Sequence, residues 1–216
     1  MPNIGAVILA AGESSRFGRT KQVIEFRGKT LLRRVVDAAS EAGCAPIAVV
    51  LGSTREEVAC ELEQTNAVAI ENRNWRSGIG SSIRAGLQSL IDNNSQLEAV
   101  VLLVCDQPYV DRDVIKQLLV LRRKTIKPIV ASSYGDTLGV PALFDRSCFE
   151  ELLALNDSNG AKPIILRDRE RVAEFSFPEG KTDIDTLEDF NLAKQSESRI
   201  EDFAVQRKLG AQSQPA

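Results

Sequence analysis

The 216-residue sequence contains no histidine. That absence excludes Ser-His-Asp triads, H-E-x-x-H zinc sites and the His/Cys zinc pattern of nucleobase deaminases. Any catalysis must rest on carboxylates, lysine, arginine, serine, cysteine, backbone amides or a hard metal ion. Aromatic residues are scarce at 5%, with Trp75 the single tryptophan, and long basic runs are missing. With 27 basic against 30 acidic residues the net charge is −3. A nucleic-acid partner calls for a basic face, so none is expected. No apolar stretch approaches about 18 residues, which argues against a membrane-spanning segment. Residues Met1–Gly5 carry no basic side chain and the apolar run 6–11 is short, which argues against a signal peptide. Cys44, Cys60, Cys105 and Cys148 lie far apart with no C-x-x-C pair. They read as buried free thiols in a reducing compartment, which points to the cytoplasm.

What is present is an alternation of strand-length apolar runs with amphipathic helical segments. This is the pattern of an α/β fold, with a mostly parallel sheet wrapped by helices. Strands are expected at 6–10, 47–51, 67–70, 100–104, 128–132, 140–144 and 171–177. The near-continuous hydrophobicity of the first suits burial on both faces. The stretch 12–28 reads as a polar loop. A helix capped by Thr30 places Leu31, Leu32, Val35, Val36, Ala39 and Ala42 at helical spacing and stops at Gly43. Further helices are expected over 55–64 and after a 71–82 loop, where Ile83, Leu87, Leu90 and Ile91 share a face. Two more begin at Asp111 and cover 147–155. A Thr186/Asp189 capping box opens a last one, ending near residue 195. One domain therefore spans 1–195, followed by a polar tail at 196–216 whose end is expected to be disordered.

Three clusters could carry chemistry. The first is Leu9-Ala10-Ala11-Gly12-Glu13-Ser14-Ser15-Arg16-Phe17-Gly18-Arg19-Thr20-Lys21. A loop at the carboxyl end of a buried parallel strand lies where α/β folds bind ligands. Its small residues let backbone N–H groups approach a phosphate, and Arg16 and Lys21 add cations. It is neither a Walker A loop nor a dinucleotide fingerprint, because the glycine spacing fits neither. The second is Asp106, a carboxylate ending the most apolar strand. Burial there is costly unless a partner compensates, and Mg²⁺ shared with substrate phosphates would do so. The third is Asp183-Ile184-Asp185-Thr186, whose acids could complete that site or simply favour a helix N-terminus. In addition, Gly78–Ser82 is a glycine- and serine-rich stretch before a helix, suited to a nucleobase, ribose or phosphate. Trp75 reads as a packing anchor.

Together these motifs resemble the MobA-like nucleotidyltransferase family, and within it the molybdenum cofactor cytidylyltransferases. The first-strand pattern is matched by Leu9, Ala10, Ala11, Gly12, Ser14, Arg16, Phe17, Gly18 and Lys21. Asn72, Trp75, Gly78, Ile79, Ser81, Ser82, Ile83, Ala85, Gly86 and Leu87 match a second motif, and Asp106-Gln107-Pro108 a third. Gly139, Pro141, Leu143 and Phe144 follow, then Asp157, Gly160, Ala161 and Lys162, then Asp183–Asp189. Cys105, Asn156 and Leu187 depart from the pattern.

The resemblance implies a three-layer, Rossmann-like fold of the nucleotide-diphospho-sugar transferase type. It implies a catalytic set of Arg16, Lys21 and Asp106. Leu9, Ala10, Ala11, Gly12, Arg16, Lys21, Gly80, Ser81 and Ser82 would bind the nucleotide, and Asp106 with Asp185 would hold Mg²⁺. Which of Asp183 and Asp185 faces the metal stays open. The Ala-Ala-Gly form resembles the cytidylyl branch, which implies CTP as donor and molybdopterin as acceptor, with a molybdoenzyme as a further partner. A guanylyltransferase, a sugar- or polyol-phosphate nucleotidyltransferase and a non-catalytic cofactor chaperone are the alternatives.

Overall fold

The computed structural model describes residues 3–12, 17–18, 20–52, 57–58 and 60–195. The strands are β1 (Ile4–Ala10), β2 (Glu25–Phe26), β3 (Lys29–Thr30), β4 (Ile47–Leu51), β5 (Ala67–Glu71), β6 (Ala99–Val104), β7 (Ile129–Tyr134), β8 (Thr137–Asp145) and β9 (Val172–Ser176). Seven of them form one sheet in the order β5-β4-β1-β6-β8-β7-β9. Only β8 runs antiparallel to its neighbours, β6 and β7. All seven strands expected from the apolar runs are present. The chain leaves β1 for β4 and β5 on one side, then returns to β6 on the other. The strand order therefore reverses between β1 and β6, the point where open α/β sheets leave a ligand crevice at their carboxyl ends.

Side chains alternate across the sheet and build a core on each face. On one face Ala6, Ile8, Val49, Val101 and Leu103 pack with α1 (Leu31–Ala42) and α3 (Arg112–Lys124). On the other Val7, Leu9, Val50, Val100 and Leu102 pack with α2 (Ile79–Asn93), α4 (Phe149–Leu153) and α5 (Lys162–Arg167). The result is three layers, as expected.

Local chemistry explains the helix ends. Thr30 accepts a hydrogen bond from the Arg33 N–H, and Gly43 closes α1 at φ 92°, a left-handed stop that glycine adopts without penalty. Asp111 accepts from the N–H groups of Asp113 and Val114, satisfying donors that a helix start leaves orphaned. The expected capping box is formed: Asp189 Oδ2 accepts from Thr186 N–H at 2.8 Å, and Thr186 Oγ1 accepts from Asp189 N–H at 3.1 Å. It opens α6, over 187–195.

Three readings need correction. The 12–28 stretch is not wholly a polar loop. A 3₁₀ turn covers Lys21–Val23, and β2 and β3 form a separate hairpin. Phe26 is fully buried and Ile24 nearly so, in a small third core with Phe17, Leu31, Ile184 and Phe190. The 71–82 stretch is not wholly a loop either. A 3₁₀ turn covers Trp75–Ser77 and α2 begins at Ile79, so Gly80, Ser81 and Ser82 lie in its first turn. Finally, Cys60 is exposed, while Cys44, Cys105 and Cys148 are buried free thiols. The expected helix over 55–64 is described in part, with a 3₁₀ turn at Cys60–Leu62.

Candidate functional site

The site forms where β1 and β6 end. Leu9, Ala11 and Gly12 come from β1 and its exit, and Val104, Cys105 and Asp106 from β6 and its exit. Trp75, Ile79 and Ser82, at the start of α2, close the side. They enclose a cavity of about 520 Å³, within the range usual for small-molecule sites.

Lys21 is the electrostatic centre. Its 3₁₀ turn carries the side chain inward until the residue is 8% exposed. Nζ donates to Asp106 Oδ2 at 2.8 Å, Asp185 Oδ1 at 3.0 Å and the Ile184 carbonyl at 3.4 Å. Burial alone would lower the lysine pKa. The Asp106 carboxylate, aided by Asp185, overrides this and raises it above its ordinary value. The ammonium therefore stays charged throughout the usable pH range.

The 183–185 segment is pinned by its backbone. Ile184 is fully buried and donates its N–H to the Asp106 carbonyl at 2.8 Å. Of the two flanking acids, Asp185 reaches Lys21. Partial burial and the nearby carboxylates of Asp106 and Asp185 push Asp183 up to about 6. Burial likewise pushes the Cys105 thiol up to about 12, with Asp106 adding to the effect.

Asp106 and Asp185 thus converge on a single cationic atom from segments far apart in the chain. Two hard carboxylate donors aimed at one point fit a divalent ion such as Mg²⁺ or Mn²⁺. Among the described residues no group of three or more His, Cys, Asp or Glu side chains comes together to hold a metal. Remaining ligands would come from substrate phosphates or water, the usual arrangement for Mg²⁺.

The other residues read from the sequence separate into two groups. Leu9, Ala11, Gly12, Lys21, Ser82 and Asp106 lie on the cavity wall. Ala10, Gly80 and Ser81 serve the frame. The Ala10 carbonyl accepts from Gln22 Nε2 at 2.9 Å. Gly80 donates its N–H to the Asp157 carbonyl at 2.8 Å, and a Cβ on it would sit 2.1 Å from the Asn156 carbonyl oxygen. Its lack of a side chain lets the 156–159 loop close over the start of α2. Arg16 and Ser14 lie outside the described residues. Trp75, read as a packing anchor, is half-buried and lies against Gly52, where a Cβ would come within 2.9 Å of its ring. It is also part of the cavity wall.

Three buried amides were not assigned roles from the sequence. Gln22, fully buried, also donates to the Gly12 carbonyl at 3.1 Å, so it ties the end of β1 to the lysine turn. Gln107 donates to the carbonyls of Val140 and Gly180 at 3.2 and 2.8 Å. Asn72 joins β5 to α2 through Ser81 and Ser82. The available signals were the position of Gln22 beside Lys21 and the motifs that contain Asn72 and Gln107, since polarity alone does not reveal which amides turn inward.

Comparison with known proteins identifies the family. The model of the MobA-like NTP transferase domain matches residues 6–172. The molybdenum cofactor cytidylyltransferase of Escherichia coli is 26% identical over 202 residues, covering 93% of this chain and all of that one. The nicotine blue oxidoreductase of Paenarthrobacter nicotinovorans is 32% identical over 124 residues, 57% of this chain. The chain spans 59% of that relative's length, and 35% of that of a bifunctional GlmU protein it also matches. Among solved structures, Rv0371c of Mycobacterium tuberculosis superposes with a TM-score of 0.74 at 27% identity, covering 89% of this chain and 98% of that one. A second structure of Rv0371c is a complex with manganese. Since the family model covers most of the sequence and its match includes the site-bearing ends of β1 and β6, the chain belongs to the MobA-like NTP transferase family, a family of nucleotidyltransferase enzymes.

Proposed function

We propose that this nucleotidyltransferase transfers CMP from CTP to molybdopterin and releases pyrophosphate. The observation that carries the reading is the Lys21 ammonium held between Asp106 and Asp185 at the edge of a nucleotide-sized cavity. The full-length correspondence with a molybdenum cofactor cytidylyltransferase supports the substrate class. The Ala10-Ala11-Gly12 form of the first loop supports CTP over GTP.

An oxygen of the acceptor phosphate attacks the α-phosphorus of CTP. A new P–O bond forms, the bond to the bridging oxygen of the β-phosphate breaks, and pyrophosphate leaves. Asp106 and Asp185 would hold Mg²⁺, which when bound neutralises charge on the α-phosphate and the leaving group. Lys21 supplies a fixed positive charge beside those phosphates, joined by Arg16. Gly12 and the end of β1 bring backbone close to the phosphates, and Ser82 and Trp75 wall the nucleoside side. Such chemistry depends mainly on positioning and preorganised charge. A phosphate acceptor is already ionised near neutral pH, so no general base is required. The absence of histidine is then consistent with the mechanism.

The test is pyrophosphate release with CTP and molybdopterin, run against GTP, ATP and UTP and against sugar and polyol phosphates. CTP with molybdopterin should be fastest. Faster turnover with GTP or a sugar phosphate would replace the substrate assignment. Pterin binding without metal-dependent turnover would indicate a carrier. Asp106→Asn should abolish release while weakening CTP binding only modestly, and near-normal turnover would remove Asp106 from the mechanism.

A further inference from the structure

Asn72 follows β5 and is 6% exposed. Its Oδ1 accepts from the Asn74 N–H at 2.9 Å, and its Nδ2 donates to Ser81 Oγ at 2.9 Å and Ser82 Oγ at 3.0 Å. A backbone N–H can only donate, so the Asn74 contact determines which end of the amide is oxygen. Both serines must then receive, and each has one hydroxyl proton left to place. Ser81 directs its proton to the carbonyl of Gly78 at 2.7 Å or of Asn74 at 3.0 Å. Ser82 has no acceptor among the described residues. Yet it is 4% exposed and lies on the cavity wall. A buried hydroxyl proton without an acceptor is unfavourable until a ligand supplies one.

From this polarity we infer that Asn72 is a positioning residue that turns the Ser82 hydroxyl proton away from itself, so that Ser82 donates a hydrogen bond to the bound nucleotide. That point of the cavity then offers a proton to a group bearing lone pairs, a carbonyl or phosphate oxygen. The inference rests on the reading of the cavity as a nucleotide site. It adds a rule for what the nucleotide must present there and names the residue that imposes it.

The test is calorimetric titration of the full chain with CTP, GTP, ATP and UTP in Mg²⁺. The variants are Ser82→Ala, Asn72→Asp, Asn72→Ala and the double variant Asn72→Asp/Ser82→Ala. The carboxylate of Asn72→Asp still accepts from Asn74 but now draws the serine protons toward itself. It should weaken the tightest-binding nucleotide about tenfold, as should Ser82→Ala. Because both remove one donor, the double variant should bind no more weakly than Asn72→Asp alone, whereas independent effects would multiply to about 100-fold. Asn72→Ala removes the amide without reversing the polarity, so it should lose less affinity than the nearly isosteric Asn72→Asp. A purely structural role gives the opposite order. Unchanged binding in Ser82→Ala, multiplying losses, or Asn72→Ala as the weaker binder would each overturn the inference and leave the nucleotide reading standing. A wild type that binds none of the four nucleotides would overturn both.

Discussion

Replacing Lys21 with methionine keeps an unbranched side chain, one atom shorter, and removes the charge that two acids share. Breaking a fully buried ion pair by deleting one partner costs about 3–5 kcal/mol. Here the side chains of Asp106 and Asp185 remain 25% and 40% exposed. Water can take over part of their solvation, so the loss should be nearer about 1.5 kcal/mol. For a chain of this size that lowers the melting midpoint by about 3–6 °C. The two carboxylates, having lost the ammonium they share, should bind a divalent ion more readily. At a metal concentration about ten times Kd, Mn²⁺ or Mg²⁺ should restore about 1.4 kcal/mol. Wild type, whose ammonium already sits between the acids, should respond less. Turnover should fall by at least about 100-fold with or without added metal, because the charge beside the phosphates is gone. The assay is thermal denaturation with EDTA or with a metal series, alongside pyrophosphate release. Lys21→Met melting with wild type, and unmoved by metal, would refute the view that one cation holds these acids together.

Asp183 has a folded pKa of about 6, raised above its ordinary value, so its charge opposes folding at high pH. In EDTA buffer Asp183→Asn should therefore melt above wild type at pH 8. That advantage should shrink through pH 6 and vanish below about pH 4, where aspartate is protonated in both states. A Cβ on Gly86 would lie 2.5 Å from Val7 Cγ1 and 2.8 Å from Val50 Cγ2. Gly86→Ala should therefore cost about 1–3 kcal/mol in urea denaturation by prising α2 off the sheet. Cys60 is exposed, whereas burial pushes the thiols of Cys44 and Cys105 up to about 12 and also raises that of Cys148. A disulfide reagent should therefore titrate one thiol in the native protein and the other three only after unfolding.

The strands were legible because each is an apolar run of the right length between turn residues. Burial on both faces leaves that mark without reference to partners. Helix starts were legible for a similarly local reason: Thr30, Asp111 and the Thr186/Asp189 pair bond to backbone within three residues. The β2–β3 hairpin was missed because strands of two residues carry no periodicity. Its buried residue, Phe26, packs on Tyr109 and Phe190 from distant segments, with ring centroids 6.2 and 6.3 Å away. Serine and glycine at 80–82 suggested a loop by propensity. Contact with the 156–159 backbone outweighs that preference and makes those residues the first turn of α2.

At the site, residues 9–12, Lys21 and Asp106 could be picked out one by one, since a glycine loop after a buried strand and a carboxylate ending another are local anomalies with a chemical cost. Their meeting could not. Asp185 and Lys21 are 164 positions apart, and only the return of the chain across β6, pinned by Ile184 on Asp106, brings that acid rather than Asp183 to the ammonium. The directions of the Asn72, Gln22 and Gln107 amides are of the same kind. A hydrogen bond has a donor and an acceptor, and which neighbour fills each role is set by packing between distant segments, which the identity of one residue does not encode.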